Sequence, residues 1–372
     1  MNLDFSEDQK AAADELRRLL SDYAGLKSSR AALEAGAAYD RTLWRRLGEL
    51  GWLGVAIPRQ YGGQGLGREM LCGVATEIGR SMAAVPFGPS ILIAAEAVEI
   101  AGTHDQQRAY LPALASGRSI GAFAIAETVG ALVQHSIRAS FDNGRLTGTK
   151  IAVSDGMISD LLIVVARHAG ELGLFVIESS DAGVQRELQA GIDPSHAPAK
   201  IRFEAARAEP LSALAGWDGV RHLLDRAAVS VAFEQVGAAD AALEMATEYA
   251  KTRRAFGRLI GSFQAVKHKL ADVFIATELA RANGFYAAWA LQANAASLSL
   301  AAATARVSAT EALERAAREL IQVHGGIGVT WEHDCHLFYR RAQHFGVMLG
   351  GLREWQDRLA EQLQSTALGT RR

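Results

Sequence analysis

The second half of this 372-residue chain consists of long stretches that are rich in Ala, Leu and Glu and contain few helix-breaking residues. Gly and Pro destabilise helix interiors, so their scarcity predicts helices from Leu211 onward. The expected long helices span Arg221–Thr252, Phe263–Ala295, Leu298–His324 and Glu354–Gln364. Helices of this length bury their apolar faces against one another, which predicts a bundle.

Residues from about 119 to 210 have a different pattern, in which short segments alternate with turn residues. The dipeptide Asn143–Gly144 is a strong signal for a β-hairpin turn. The predicted strands are Ile120–Ala126, Ser136–Phe141, Arg145–Val153, Leu161–Ala166, Leu174–Glu178, Val184–Leu188 and Ala199–Phe203. Together they predict a small antiparallel β-domain.

The first 118 residues or so are again typical of helices. Ser6, followed by Asp8 and Gln9, is a plausible N-cap for an amphipathic run. The glycine-rich stretch Gly51–Gly67 does not have G-x-G-x-x-G spacing, and no strong strand precedes it. A dinucleotide fingerprint is therefore not expected there. Further helices are predicted at Met70–Ser81, Ser90–Ile100 and Gln106–Ser116.

Composition excludes several classes of function. The formal net charge is −2 and no long basic run occurs, which argues against nucleic-acid binding. The polar N-terminus has no signal-peptide core, and Asn, Gln and Ser interrupt the most apolar stretch, Ala282–Val307, so no membrane span is expected. Two isolated cysteines, Cys72 and Cys335, indicate a reducing cytoplasm rather than a disulfide framework.

Two stretches in the second half could hold a bulky ligand. In Tyr249–Val273, we expect a helix to reach Arg253 and Phe256, which would then share one helix face at its C-terminal end. A guanidinium and an aromatic ring at that place could hold a diphosphate and a flat ring. In Gln322–Arg341, Gly325, Gly326 and Gly328 would let the backbone approach a ligand closely.

Both stretches closely resemble the acyl-CoA dehydrogenase family. The matching motifs are Y-x-x-x-R-x-x-F-G with a following F-Q, then Q-x-x-G-G-x-G and an R-[DR]-A segment. The resemblance covers nearly the whole chain and implies an α+β fold. It implies an N-terminal helical domain (1–118), a middle antiparallel β-domain (119–210) and a C-terminal long-helix bundle (211–372).

The resemblance also implies FAD as the cofactor and acyl-CoA thioesters as substrates. In the family, both stretches cross a dimer interface and grip the ADP part of a neighbouring subunit's FAD. The residues of this chain that match those positions are Arg253, Phe256, Gln264, Gln322, Gly325 and Gly326. Without the resemblance, Arg253 would be interpreted as a solvated helix residue and the glycines as a turn.

The catalytic base that the family requires is missing. The reaction removes an α-proton from the acyl-CoA and passes a β-hydride to the flavin, so it needs a carboxylate near the α-carbon. The usual base lies nine positions after the Arg that Arg340 matches, and that position is Leu349. The alternative base position of the family aligns with Ala227. Neither residue accepts a proton.

Asp225 lies near the second base position and is a possible displaced base. Two residues turn a helical side chain by about 200°, so Asp225 would face away from the position of Ala227. The commoner role for such a residue is a solvated aspartate on the helix surface.

Two segments that face the flavin in the family are also altered. The T-E-x-x-x-G-S-D motif aligns with Ala126–Val133, which keeps Glu127 and Thr128 but lacks the Ser-Asp pair. The W-I-[TS] motif aligns with Ala152–Ser154, which lacks the tryptophan. These motifs are altered and both base positions are lost. A chain without a complete site of its own explains this combination better than ordinary sequence drift in a working enzyme does.

Three hypotheses follow. The first is a base-lacking subunit of a heteromeric acyl-CoA dehydrogenase, in which this chain helps to bind the FAD of a catalytically complete partner. It resembles the α2β2 enzymes of actinobacteria that act on steroid side-chain CoA thioesters, with an electron-transfer flavoprotein as acceptor. The second is a self-sufficient dehydrogenase whose base is Asp225 or Glu127. The third is a flavin-free structural subunit.

A metal site is not expected. Histidines and a cysteine cluster along the sequence, but they lack the spacing of a recognised metal motif. His324 is expected to contact neighbouring backbone or the cofactor. The cluster consists of His324, His333, Cys335, His336 and His344.

Overall fold

The computed structural model describes residues 5–23, 25–36, 38–193 and 195–369. Residues 1–4 of the polar N-terminus and residues 370–372 lie outside the described residues. The chain forms two compact units, which we describe separately. The first unit contains 1–31, 72–83 and 228–372, and the second contains 32–71 and 84–227. The three domain boundaries expected from the sequence stay a prediction.

The described chain contains α-helices of very different lengths. They are α1 (Glu7–Tyr23), α2 (Gly25–Ala35), α3 (Arg41–Glu49), α4 (Gly67–Arg80), α5 (Glu96–Ala101), α6 (His104–Ala115), α7 (Gly216–Thr252), α8 (Gln264–Gln292), α9 (Leu298–His324), α10 (Cys335–Val347) and α11 (Leu352–Gly369). A π-helical segment, Gly88–Ala95, leads directly into α5. The long helices α7, α8 and α9 confirm the helices predicted for the second half.

The starts of several helices follow from side-chain caps. At α1, the Gln9 amide donates to the Ser6 hydroxyl at 3.3 Å, and the Ser6 amide donates to the Gln9 side chain at 2.8 Å. This reciprocal pair is a capping box, which confirms the N-cap predicted at Ser6. A second capping box joins Thr103 and Gln106 at the start of α6.

The second unit contains an eight-stranded sheet whose strands follow the order β6-β7-β3-β2-β4-β5-β8, with β1 also paired to β4. The strands are β1 (Gly121–Ala124), β2 (Ser140–Asp142), β3 (Arg145–Val153), β4 (Leu161–His168), β5 (Glu171–Glu178), β6 (Val184–Leu188), β7 (Ala199–Arg207) and β8 (Glu209–Ala215). Asn143 and Gly144 form the turn between β2 and β3, both with positive φ, which confirms the predicted hairpin.

Two features of the sheet differ from the prediction. The sheet is mixed, because β4 runs parallel to β1 and to β2. The chain is also not helical from Leu211, since residues 209–215 form β8 and pair with β5. Strand pairing supplies hydrogen bonds that outweigh the helical tendency of a short Leu/Ala segment.

In the first unit, α4 and α7 cross at two glycines. A Cβ on Gly79 would lie 1.9 Å from the Glu234 carbonyl oxygen, and one on Gly237 would lie 1.9 Å from the Thr76 carbonyl oxygen. The two backbones therefore pack directly against each other. Of the helices in the described ranges, none is both long and apolar enough to cross a membrane.

Candidate functional site

The segment after α7 is a hairpin and does not continue the helix. Helix α7 ends at Thr252, and β9 (Arg254–Ala255) pairs with β10 (Arg258–Leu259). The prediction that Arg253 and Phe256 share a helix face is therefore wrong. Phe256 and Gly257 adopt φ values of 51° and 77°, which are incompatible with an α-helix and form a two-residue turn of the type I′ pattern.

Phe256 occupies the tip of this hairpin with 94% of its surface exposed. A positive φ is unfavourable for a large side chain, and such strain concentrates where a backbone position serves a ligand. The Arg258 guanidinium lies 3.9 Å from the ring centre of Phe263, just before α8. This contact ties the hairpin to the start of α8, where Gln264 is the first residue.

The glycine-rich segment follows α9 directly. Gly325 has φ 64° and ψ −138°, a conformation open only to glycine. Cβ atoms on Gly325 and Gly326 would meet nothing within 4 Å, whereas one on Gly328 would lie 2.7 Å from the Ile321 carbonyl oxygen. Gly325 and Gly326 thus leave backbone open to a ligand, while Gly328 is required by packing against α9.

The residues predicted to contact FAD share two properties. They are exposed, and the polar side chains among them make no hydrogen bond within the part of the chain that the structure describes. A guanidinium, an exposed aromatic ring and uncovered glycine backbone fit the diphosphate and adenine of an ADP group. All lie in the first unit: Arg253, Phe256, Gln264, Gln322, Gly325 and Gly326.

Tyr249 and His324 connect the two stretches that are predicted to contact FAD. Their rings are stacked with centroids 4.0 Å apart. His324 Nδ1 lies 2.8 Å from the Leu320 carbonyl oxygen, which confirms the backbone contact expected for this histidine. Burial lowers the pKa of His324, which favours the neutral form of its ring.

Both usual base positions are apolar and buried. Leu349 is 2% exposed, and its carbonyl oxygen accepts a hydrogen bond of 3.0 Å from the Trp355 indole. Ala227 is fully buried within α7. Neither side chain could take up a proton.

Asp225 is only 2% exposed, so its interpretation as a solvated surface residue is wrong. The neighbouring residues Leu223, Leu224 and Ala227 are buried as well, whereas His222 and Arg226 are partly exposed. The expectation of a solvated role failed because Asp225 lies on a covered face of α7.

Glu127, the other candidate base, is held in structural hydrogen bonds. Its Oε2 accepts from the Arg138 amide at 2.8 Å. Its Oε1 accepts from the Ala139 amide at 2.9 Å and from Lys150 Nζ at 2.6 Å. Both oxygens are engaged, which argues against a role as the base for an α-proton.

The sequence reasoning missed the buried cation that holds Glu127. Lys150 lies within β3 and is fully buried, with its Nζ also 3.1 Å from the Ile125 carbonyl oxygen. Desolvation lowers the pKa of Lys150 to about 8, although the neighbouring Glu127 carboxylate acts to raise it. The signal that could have revealed it is a lone lysine at an inward position of a predicted strand.

Arg306 was also missed, although it supports the segment that leads to Leu349. It is fully buried in α9, where Nη1 donates to the Gln235 side chain at 2.6 Å and Nη2 donates to the Phe345 carbonyl at the end of α10. Desolvation lowers the pKa of Arg306 to about 10. Because α10 was not predicted as a helix, no sequence signal paired Arg306 with it.

The structure brings together three members of the His/Cys cluster. Ligand atoms of His324, His333 and Cys335 all lie within 4.8 Å of one another. His336 instead stacks on the ring of Trp331, with centroids 5.0 Å apart.

Comparisons with known proteins give matches over most of the chain. A family model described as the acyl-CoA dehydrogenase N-terminal domain matches residues 6–118, and one described as the C-terminal domain matches residues 215–361. The acyl-CoA dehydrogenase IpdE2 of Mycobacterium tuberculosis is 34% identical over 358 residues, which cover 96% of this chain and 98% of that protein.

Two solved structures share the fold over almost the whole chain. A variant of the Tcur3481-Tcur3483 steroid acyl-CoA dehydrogenase gives a TM-score of 0.89 at 31% identity and covers 97% of this chain and 99% of its own. The ChsE4-ChsE5 complex from Mycobacterium tuberculosis gives 0.87 at 28% identity, with coverages of 98% and 99%.

Proposed function

Because the chain belongs to the acyl-CoA dehydrogenase family, whose members are FAD-dependent oxidoreductases acting on acyl-CoA, we propose that it is the base-lacking subunit of a heteromeric enzyme. In this proposal, a second and catalytically complete subunit supplies the carboxylate base. The present chain completes the FAD site of that partner. Each active site then lies at an interface between unlike chains.

One observation carries the proposal, namely the contrast between the two halves of an acyl-CoA dehydrogenase site. The residues that we propose to contact the ADP group are present and exposed, as the 94% exposure of Phe256 illustrates. The base positions hold buried Leu349 and Ala227. Identical copies would gain nothing from completing a site that each copy lacks, whereas an unlike partner with a base would.

The chain's own residues would act on the adenine end of the cofactor. Arg253 would neutralise charge on the diphosphate, and Phe256 would pack against the adenine ring. Backbone amides around Gly325 and Gly326 would approach the same group. When bound, FAD supplies the acceptor for the hydride that leaves the β-carbon.

The substrate we propose is the CoA thioester of a bulky steroid side chain. This part of the proposal is supported by likeness to a steroid acyl-CoA dehydrogenase whose name pairs two proteins, and to the ChsE4-ChsE5 complex. A subunit without its own base could leave room for a polycyclic group. The proposal includes an electron-transfer flavoprotein as acceptor and a cytoplasmic location, where acyl-CoA is found.

A self-sufficient enzyme is the less favoured alternative. It would need Glu127 or Asp225 as a base, but Glu127 has both oxygens in structural hydrogen bonds. No specific contact of the described residues favours the flavin-free subunit.

The test is the flavin content of the chain purified alone and after co-expression with a catalytically complete homologue. We expect a colourless lone protein and a yellow complex with about one FAD per pair of unlike chains. Arg253→Ala should remove FAD from the complex. Arg254→Ala, which alters the adjacent exposed arginine of β9, is the matched control and should leave FAD bound.

Two outcomes would overturn the proposal. A yellow lone protein that oxidises an acyl-CoA would show that the chain contains a working base. Normal FAD occupancy in the Arg253→Ala complex would show that the hairpin does not hold the cofactor.

A further inference from the structure

We propose that His324, His333 and Cys335 form a binding site for a zinc ion, which joins the end of α9 to the start of α10. Spacing along the sequence did not predict a metal site. The three residues come together because the short 3₁₀ segment after His324, Gly325–Val329, turns the chain back on itself. The inference does not depend on the proposed function.

The ligand atoms are already close to the separation that one ion requires. All three lie within 4.8 Å of one another, and Cys335 Sγ is 3.1 Å from His333 Nδ1. Around a tetrahedral zinc ion with Zn–N near 2.0 Å and Zn–S near 2.3 Å, ligand atoms are about 3.5 Å apart. Side-chain rotations that move an atom by about 1 Å would close the site.

Hydrogen bonds fix the position of the proton on each histidine ring. His324 Nδ1 is engaged by the Leu320 carbonyl oxygen at 2.8 Å, which assigns the proton to Nδ1 and leaves Nε2 with a lone pair. A carbonyl that accepts from the other ring nitrogen is the usual outer partner of a metal-binding histidine. His333 Nδ1 accepts from the Cys335 amide at 3.3 Å, so the proton of this ring lies on Nε2, and an ion bound at Nδ1 would replace this long hydrogen bond.

The backbone around the cluster is held from both sides. On one side, Tyr249 stacks on His324. On the other side, Arg30 of α2 donates to the Asp334 carboxylate at 2.7 Å and to the Trp331 carbonyl at 2.9 Å. The residue between His333 and Cys335 is thus anchored, which reduces the entropy lost when an ion binds.

The donor set selects the class of metal. One sulfur and two imidazole nitrogens favour Zn²⁺ over Mg²⁺ or Ca²⁺, which require oxygen ligands. Cys335 is fully buried and His324 nearly so, whereas His333 is half-exposed and gives access. Three protein ligands leave the fourth position to water.

The test uses the full chain with a purification tag that contains no histidine, stripped with a chelator. Titration with Co²⁺, which replaces zinc and is coloured, should produce a sulfur-to-cobalt charge-transfer band that saturates at about one ion per chain. Zinc should displace the cobalt and abolish the band. Mass spectrometry of protein from zinc-supplemented cells should find about one zinc per chain.

Variants test whether the metal ion binds at these three residues or at other thiols and imidazoles of the chain. Cys335→Ser should abolish the charge-transfer band, and His324→Gln should weaken Co²⁺ binding by at least about 10-fold. Cys72→Ala and His336→Gln are controls that should leave the charge-transfer band and the affinity for Co²⁺ unchanged. Circular dichroism checks that each variant is folded.

Results on the unaltered chain are sufficient to overturn the proposal. Co²⁺ that binds without a sulfur band, or no saturable binding of Co²⁺ or Zn²⁺, would show that the cluster is a packing arrangement only. A band that survives in Cys335→Ser but disappears in Cys72→Ala would also contradict it.

Discussion

Tyr249 stacks on His324 with ring centroids 4.0 Å apart and an interplanar angle of 23°. Tyr249 lies in the last turns of α7, four residues before Arg253, and His324 is the last residue of α9. This single contact therefore sets the hairpin and the glycine segment side by side.

Tyr249→Ala should destabilise this junction, whereas Tyr249→Phe should not. Loss of the stacked ring at a half-buried position should lower the free energy of unfolding by about 1–3 kcal/mol. The tyrosine hydroxyl makes no hydrogen bond among the described residues, so phenylalanine keeps the interaction. Urea unfolding measures the difference. Equal losses in the two variants would show that the hydroxyl, and not the stacked ring, matters.

Phe256→Asn should stabilise the chain while weakening FAD binding in the complex. Asn tolerates the positive φ of this turn position, so the free energy of unfolding should rise by about 0.5–1 kcal/mol. The exposed ring contributes little packing that could be lost. The reciprocal control is Asn143→Phe in the β2–β3 turn, where φ is 47°. This substitution should lower the free energy of unfolding by a similar amount. Unfolding and flavin content are measured on the same samples.

Two glycine-to-alanine substitutions should separate packing from ligand binding. Gly237→Ala places a Cβ 1.9 Å from the Thr76 carbonyl oxygen and should cost about 3 kcal/mol of stability. Gly326→Ala meets nothing within 4 Å and should change stability by no more than about 0.5 kcal/mol. Its effect should instead be a loss of FAD from the complex. Full FAD occupancy in Gly326→Ala would contradict the role of the glycine segment.

Lys150 should make the stability of the chain depend on pH in the alkaline range. Its pKa in the folded chain is about 8, below the ordinary value of 10.5. Between these values the unfolded chain binds more protons, so the free energy of unfolding rises with pH, by about 3 kcal/mol over the whole window. The measurement is the difference between the natural chain and Lys150→Met combined with Glu127→Gln. A difference that stays flat from pH 8 to 10.5 would rule out the lowered pKa.

Leu349→Glu should not create dehydrogenase activity in the lone subunit. The other flavin-facing segments remain altered, and a carboxylate at this buried position would be largely protonated. Leu349→Gln serves as the control for the change in polarity. Acyl-CoA oxidation by the lone Leu349→Glu chain, with a dye as acceptor, would mean that its flavin pocket is far more complete than Ala126–Val133 and Ala152–Ser154 indicate.

The sequence predicted those elements whose signals are local. Ser6 and Gln9 cap α1, Asn143 and Gly144 turn the β2–β3 hairpin, and the predicted bounds of β3 match the structure. It did not predict β8 or the parallel pairings of β4. These depend on which distant strand lies alongside, and no local pattern carries that information.

The candidate site shows the same limit. The motif residues were found from their spacing, but Lys150, Arg306 and the grouping of His333 with Cys335 and His324 were not. Lys150 and Arg306 owe their roles to contacts with residues that are distant in sequence, and the three-residue cluster depends on the path of the chain after α9, which its sequence does not specify. The left-handed Phe256 was missed because a helix was assumed to continue past Thr252.

The exposure of Arg253, Phe256 and Gln264 has an evolutionary consequence under the proposed function. These side chains contribute little to the folding of the chain that encodes them, so selection maintains them only through another gene's product. A lineage that lost the partner gene should accumulate changes at these surface positions first, while Gly79 and Gly237 persist. The two genes should accordingly be inherited together, and each sequence would record the presence of the other.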